Sequence, residues 1–460
     1  MTDSLPDVEL KVSSYFSEVI DTLTELVAIP SVSWPAFDQT EVERSAEKIV
    51  SLVNELNFFD SVELLNAPIG QTQKLGQPAV VARREASPGY PTILLYAHHD
   101  VQPPGDISLW ETPPFVATQK DGRLFGRGCA DDKAGILVHL TSIRILKEIE
   151  HTPNIGVVLF IEGEEEYGSP SFENFLSLYR AKLESEVIVV ADSGNWDTST
   201  PALTTTLRGN VTFKLSLRTL DHALHSGMFG GVVPDSFTVF SQLVSSFFDK
   251  SGSVVISGLE KTQTSALSYS EERIREESGV LPEVDLIGSG DILSRLWTQP
   301  SVTITGVDFP SIENASNTLV PEISARISLR VAPGQQAQDA FDAFSGHAEE
   351  FLKSKAIFSI TDVSTGEGFV ADIQGWAAKS MQRCLSEAFG NECVEMGVGG
   401  SIPFISSFVD VFPGAQVLVT GVEDPDSCAH SPNESLDLDS LQKAIVAQTL
   451  FLLRCNQKSI

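Results

Sequence analysis

Thr92-Ile-Leu-Leu-Tyr-Ala-His-His-Asp100 is the stretch on which the reading of this chain turns. The apolar run from Thr92 to Ala97 reads as a strand buried on both faces, as in a sheet covered by helices. Side chains two apart on an extended segment point the same way, so His98 and Asp100 are expected to face one site, with His99 on the other face and structural. An imidazole beside a carboxylate at a strand's carboxyl end suits a metal ligand and the group that orients it. One His-x-Asp is weak evidence, because a core or surface histidine is the commoner outcome.

Working outward, the same design recurs. Gly156 to Ile161 is a second apolar strand and ends in Glu162-Gly-Glu-Glu-Glu-Tyr-Gly-Ser. Val187 to Val190 ends in Ala191-Asp192-Ser193-Gly194, and Ala415 to Val419 runs on to Glu423-Asp-Pro-Asp-Ser-Cys-Ala-His430. Gly126-Arg-Gly-Cys-Ala-Asp131-Asp-Lys leads into a helix expected over 134–150. Further helices are expected over 8–29, where Pro30 stops the helix, and over 41–56, 375–389 and 439–453. Strands separated by helices, each opening into a polar loop, indicate an α/β sheet with its site along the strand ends.

Between 203 and 369 the pattern changes. Val211, Phe213, Leu215 and Leu217 alternate with Thr212, Lys214, Ser216 and Arg218; 302–307 and 325–331 look similar, with helices expected over 236–248 and 337–353. Sheet faces of unequal polarity belong to an α+β unit. The chain therefore reads as one domain in two parts, 1–202 and 370–460, split by an insertion over 203–369. Its 460 residues exceed the ~250–300 that one core usually holds, which agrees with more than one domain.

The formal charge of −31 argues against nucleic acid and anionic membranes as partners. Any anionic substrate must be held by a few local cations. The acidic start, Met1-Thr-Asp-Ser-Leu-Pro-Asp, does not read as a signal peptide, and no apolar run reaches the ~18–20 residues of a membrane span. Five scattered cysteines, at 129, 384, 393, 428 and 455, fit reduced thiols in a cytoplasmic protein.

Five strand-end loops thus carry candidate ligands: His98, Asp131 or Asp132, the Glu164–Glu166 cluster, Asp192 and His430. Taken singly, each has an ordinary alternative. The Asp pair could cap a helix, the Glu run could be a solvated loop, Asp192 could make a turn, and His430 could be a hydrogen-bonded core residue. Taken together, those alternatives require five coincidences at one end of one sheet. Two imidazoles with several carboxylates suit Zn²⁺ or Mn²⁺, and a paired site explains the number of acids.

In this order, His98-His-Asp100, Gly126-Arg-Gly-Cys-Ala-Asp131-Asp-Lys, Glu162-Gly-Glu-Glu-Glu166-Tyr-Gly-Ser, Asp192, His225-Ser-Gly, Gly399-Gly-Ser-Ile-Pro and His430 resemble the two-metal aminoacylase/carboxypeptidase G family. The match is closest to its carnosinase-like cytosolic dipeptidase branch and covers nearly the whole chain. The resemblance implies an α/β fold with a mixed sheet flanked by helices, in which 203–369 form a lid and dimerisation domain. It implies two divalent metal ions, zinc first and manganese as the alternative. Asp131 would bridge them, His98 and Asp192 would complete one site, and Glu166 and His430 the other. Asp100 would orient His98, and Glu165 would be the general base that works with a bridging hydroxide; spacing alone leaves Glu162, Glu164, Glu165 and Glu166 undivided.

His225 would reach the partner subunit's site in a homodimer and stabilise the oxyanion, although residues alone fit equally a Gly-rich turn with an incidental histidine. Arg330, otherwise a solvated strand arginine, would pair with a substrate carboxylate, assisted by Ser401 and Thr318. The implied activity is a metal-dependent dipeptidase acting on short peptides with a free C-terminal carboxylate. The alternatives are an N-acyl-amino-acid amidohydrolase on the same site, or a non-catalytic metal-binding protein of the same fold. Two departures stand out: Gly397-Val398, where many relatives carry Arg-Glu, and Cys129 and Cys428, which are read as buried thiols rather than zinc ligands.

Overall fold

The computed structural model describes residues 5–262, 267–400 and 403–459. It divides into two compact units: Met1–Thr205 with Ala371–Met396 and Ser407–Ile460, and Thr206–Val370 with Gly397–Ser406. Residues 397–406 were expected in the closing part of the first domain. They cluster instead with the second unit, where Arg208 Nε donates to the Gly399 carbonyl at 2.8 Å.

In the first unit, Thr92–His98, Gly156–Glu162 and Val187–Val190 are buried at every position. Thr92–His98 pairs in parallel with each of the other two, and Gln416–Val419 extends the parallel run beside Val187–Val190. Ala79–Arg84 and then Ser61–Leu65 add antiparallel strands beyond Gly156–Glu162, so the sheet is mixed. Full burial follows from the helical cover. Lys133–Glu150 is enclosed along most of its length because apolar residues surround it, and it shares a core with Leu5–Val27 and Leu438–Asn456.

That cover locks to the sheet at two points in the first half of Lys133–Glu150. A Cβ at Gly135 would stand 2.8 Å from the Ala191 carbonyl oxygen, so glycine alone lets the helix start lie against the Asp192 loop. Farther along the helix, His139 Nε2 lies 2.9 Å from the Tyr96 carbonyl oxygen and its Nδ1 faces the Gln448 amide. Burial drives the His139 pKa down to about 4, so the ring is neutral.

The second unit is an antiparallel sheet in the order Ser301–Asp308, Glu322–Val331, Gly209–Arg218, Ile357–Gly366. Gly209–Arg218 alternates buried and half-buried positions, as its sequence predicts, and turns Val211, Phe213, Leu215 and Leu217 onto a core shared with Phe247 and Phe344. The sequence places the change of pattern at 203, but the sheets change at Arg208. Ala202–Leu207 belongs to the large sheet, whereas Gly209–Arg218 begins this one. Among the described residues no helix is long and apolar enough to cross a membrane.

Candidate metal centre

The parallel strands bring their carboxyl ends to one edge, where α/β sheets collect ligands. His98 closes its strand, Asp192 lies two residues beyond Val190, and His430 sits in the loop after Gln416–Val419. Asp131 precedes the buried helix Lys133–Glu150.

His98 Nδ1 lies 3.1 Å from the Asp100 carbonyl oxygen and 3.4 Å from its carboxylate, so the backbone carbonyl is the closer acceptor of this N–H. Nε2 then presents its lone pair 3.0 Å from Asp131 Oδ1 and 3.7 Å from Asp192 Oδ1. The other Asp131 oxygen, Oδ2, is 2.9 Å from His430 Nε2, which is also 3.2 Å from Glu166 Oε2. One carboxylate therefore stands between two imidazoles. Donor atoms of His98, Glu165 and Asp192 lie within 4.8 Å of one another, as do those of Asp131, Glu166 and His430.

Acceptors turned toward acceptors need a positive charge between them, and this donor set fits a pair of divalent ions. The titration behaviour agrees. Burial lifts the carboxyls of Glu165 and Asp192 and carries Glu166 up to about 7. Hydrogen bonds to Asp131 and Glu166 push His430 up to about 11. Burial also acts upward on Asp131, but His430 and His98 outweigh it and hold this group below the usual carboxylate range.

Among the supporting residues, Ser33, Gln102 and Glu434 carry no signal in the sequence. The Asp100 carboxylate accepts from the Glu165 and Glu166 backbone N–H groups at 3.1 and 3.0 Å and from Ser33 Oγ at 2.7 Å, so it fastens the loop with both acids. Gln102 donates to both Glu166 oxygens, from its backbone N–H at 3.1 Å and its side chain at 2.6 Å. Glu434 is fully buried. It accepts from the backbone N–H groups of Gly128, Ala130 and Asp131 and from Arg127 Nη1 at 2.7 Å, clamping the turn that presents Asp131. Asp132 lies under the His98 strand, where it accepts from the His98 N–H at 3.2 Å.

The glutamate run, undivided by spacing, is sorted by its partners. Glu162 accepts from Tyr96 Oη at 2.6 Å, and Glu164 accepts from the N–H groups of Gln77 and Ser171. Glu165 and Glu166 are left to face the histidines. His99 turns away and bonds the Pro78 carbonyl, 2.9 Å from Nε2.

Cys129 is buried, but Cys428, read as buried, is exposed. Cys428, His430 and Asn433 all have positive φ, 52°, 60° and 65°, and this left-handed path turns the thiol outward while bringing the imidazole to Asp131. Neither thiol belongs to either donor group.

The second unit holds the other candidates. His225 is exposed and pairs across a short two-strand ladder with Thr318; its Nδ1 accepts from the Gly227 N–H at 3.1 Å, which leaves Nε2 to carry the proton. Arg330, whose ordinary alternative was a solvated strand arginine, is half-buried, and burial lowers its pKa. Ser401 lies outside the described residues.

A mixed α/β sheet with two imidazoles and four carboxylates converging at its strand ends is the architecture of a metal-dependent hydrolase. The chain belongs to peptidase family M20/M25/M40, whose model matches residues 94–454. It is 32% identical over 385 residues to the cysteinylglycine-S-conjugate dipeptidase of Corynebacterium striatum, covering 81% of this chain and 83% of that one. It is 28% identical over 444 residues to the human Beta-Ala-His dipeptidase, covering 91% and 86%. Its fold matches that of the dipeptidase Dug1p from Saccharomyces cerevisiae with a TM-score of 0.79 over 100% of both chains, at 23% identity.

Proposed function

We propose that this protein is a two-metal dipeptidase that hydrolyses short peptides with a free C-terminal carboxylate. The observation that carries the reading is the Asp131 carboxylate, held between His98 and His430 with Asp192 and Glu166 completing the two donor groups. The dipeptidase names of the relatives support the substrate class.

His98 and Asp192 would hold one ion, Glu166 and His430 the other, and Asp131 both, with Asp100 fixing the approach of His98. Bound there, zinc, or manganese in its place, would supply Lewis acidity toward the peptide carbonyl and make water acidic enough to attack. Glu165 takes the proton from that water and returns it to the leaving amine. Its backbone is pinned by Asp100, so the carboxylate swings from a fixed point. His225 presents its Nε2–H to the developing oxyanion, and Arg330, with Thr318 and Ser401, receives the C-terminal carboxylate.

A homodimer follows from the same reading, with His225 serving the partner subunit's site. Phe237 and Phe309 are exposed with their ring centroids 5.0 Å apart and the rings tilted at 46°, and Met228, Val232 and Ile312 are exposed in the same unit, apolar side chains suited to a second copy. Five free thiols fit a cytoplasmic setting.

Metal analysis of protein purified without added metal, combined with turnover of a dipeptide panel against N-acetyl and N-succinyl amino acids, tests the proposal. About two equivalents of metal and dipeptide cleavage are expected. Activity confined to the N-acyl substrates would replace it with a deacylase.

A further inference from the structure

The break at Arg208 places a second guanidinium close to Arg330. Ser301 is the cross-strand partner of Arg330, and Arg208 Nη1 donates to that same Ser301 at Oγ, 3.3 Å away, and to the Gln299 carbonyl at 3.2 Å. Arg208 Nε donates to the Gly399 carbonyl at 2.8 Å. Every one of these acceptors is neutral. Among the described residues no carboxylate lies within ion-pair distance of Arg208, and its Nη2 makes no hydrogen bond. A Cβ at Gly399 would meet that Nη2 at 2.9 Å, so the glycine keeps it uncovered.

Burial and the charge of Arg330 push the Arg208 pKa down to about 10. Two half-buried guanidiniums repel one another, and the neutral dipoles around Arg208 offset only part of that cost. The chain has 62 acidic residues against 31 lysines and arginines, yet none of the described acids is set beside Arg208. Such an arrangement has unspent capacity for an anion, and a planar carboxylate matches the guanidinium fork.

We propose that Arg208 and Arg330 together form the carboxylate subsite, with Arg208 the rigid member that makes a free C-terminal carboxylate preferred over an amide. This rests on the dipeptidase reading for the identity of the substrate, but the preference for acid over amide can be measured without it.

The test uses full-length, metal-loaded protein and the variants Arg208→Gln and Arg208→Lys. Turnover is compared on a dipeptide and on the same dipeptide as its C-terminal amide. Calorimetric titration with a single amino acid and with its amide, neither of which can be cut, reads the subsite separately. Arg208→Gln is expected to raise KM and lower kcat/KM for the acid by roughly 10- to 100-fold, the worth of a charge-assisted hydrogen bond, with about threefold or less change for the amide. Arg208→Lys keeps the charge without the fork and should fall between; it also serves if the glutamine variant fails to fold. Equal losses on acid and amide would show that Arg208 only holds the Gly399 turn, and would overturn the proposal. So would equal binding of amino acid and amide by the wild type. A wild type that prefers the acid in titration yet cleaves no dipeptide supports the subsite and counts instead against the dipeptidase reading.

Discussion

Around Asp131 in the first unit, polar groups other than the exposed His430 are buried or half-buried and answered by one another: two imidazoles flank the carboxylate, Glu434 clamps its turn, and Asp100 clamps the loop of Glu165 and Glu166. Around His225 and Arg208 in the second unit, the groups proposed to meet substrate are exposed or half-buried and held by neutral contacts that leave a donor spare. The contrast matches what each region is proposed to hold. Ligands for a small multivalent cation gain from being fixed and mutually compensating before it arrives. Groups that grip a substrate need hydrogen-bonding capacity that the fold itself has not consumed.

The widest separation between the regions should come from Glu165→Gln. Its neighbours and backbone bonds are retained, so metal content should stay near the wild-type value while kcat falls by about 10³–10⁴-fold, a loss on the scale of a removed general base. Unchanged turnover would take the base role away from Glu165. Next, His225→Ala should lower kcat by roughly 10²–10³-fold with metal content unaltered, as for a lost oxyanion donor. Metal loss in this variant would erase the distinction between the two regions.

Glu434→Gln should have a smaller effect of the opposite kind. An amide nitrogen would face the N–H groups that now donate to the carboxylate, the Asp131 turn should loosen, and metal affinity should weaken by about 10–100-fold in a chelator competition. An unweakened affinity would make Glu434 part of the scaffold only.

The smallest effect concerns pH. His139 has a folded pKa of about 4 against its ordinary 6.5, because burial disfavours the charged ring. Between those values the unfolded chain takes up a proton that the folded chain refuses. Stability is therefore full above about pH 6.5 and declines as pH falls toward 4, by about 1.4 kcal/mol per unit at the steepest. Urea midpoints at stepped pH should show this slope, and His139→Gln, which cannot titrate, should flatten it.

Much of this molecule was legible in its sequence because the relevant signals are local. An apolar run bounded by polar loops marks a strand buried on both faces, and Thr92–His98, Gly156–Glu162 and Val187–Val190 stand where their hydrophobicity put them. Alternation in Gly209–Arg218 marked a sheet with one face on a core. The order of histidines and acids along the chain was enough to identify a family and so to name His98, Asp131, Glu166, Asp192 and His430 as candidates.

What pattern could not reach were relations between residues far apart in the chain. Nothing in the composition of Glu162-Gly-Glu-Glu-Glu166 says that Tyr96 takes the first acid and that Gln77 and Ser171 take the second; those hydrogen bonds exist only once the strands are paired. The exposure of Cys428 was settled by left-handed backbone that periodicity does not encode. The end of one sheet and the start of another at Arg208 depended on carbonyls and a hydroxyl that lie about 90 and 190 residues away. Sequence alone determined which segments would be buried and which residue types would meet at the strand ends, because burial and periodicity are properties of neighbouring residues. Tertiary structure decided which acids remain available for chemistry, because a carboxylate's role depends on the donors that reach it, and those donors come from elsewhere in the chain.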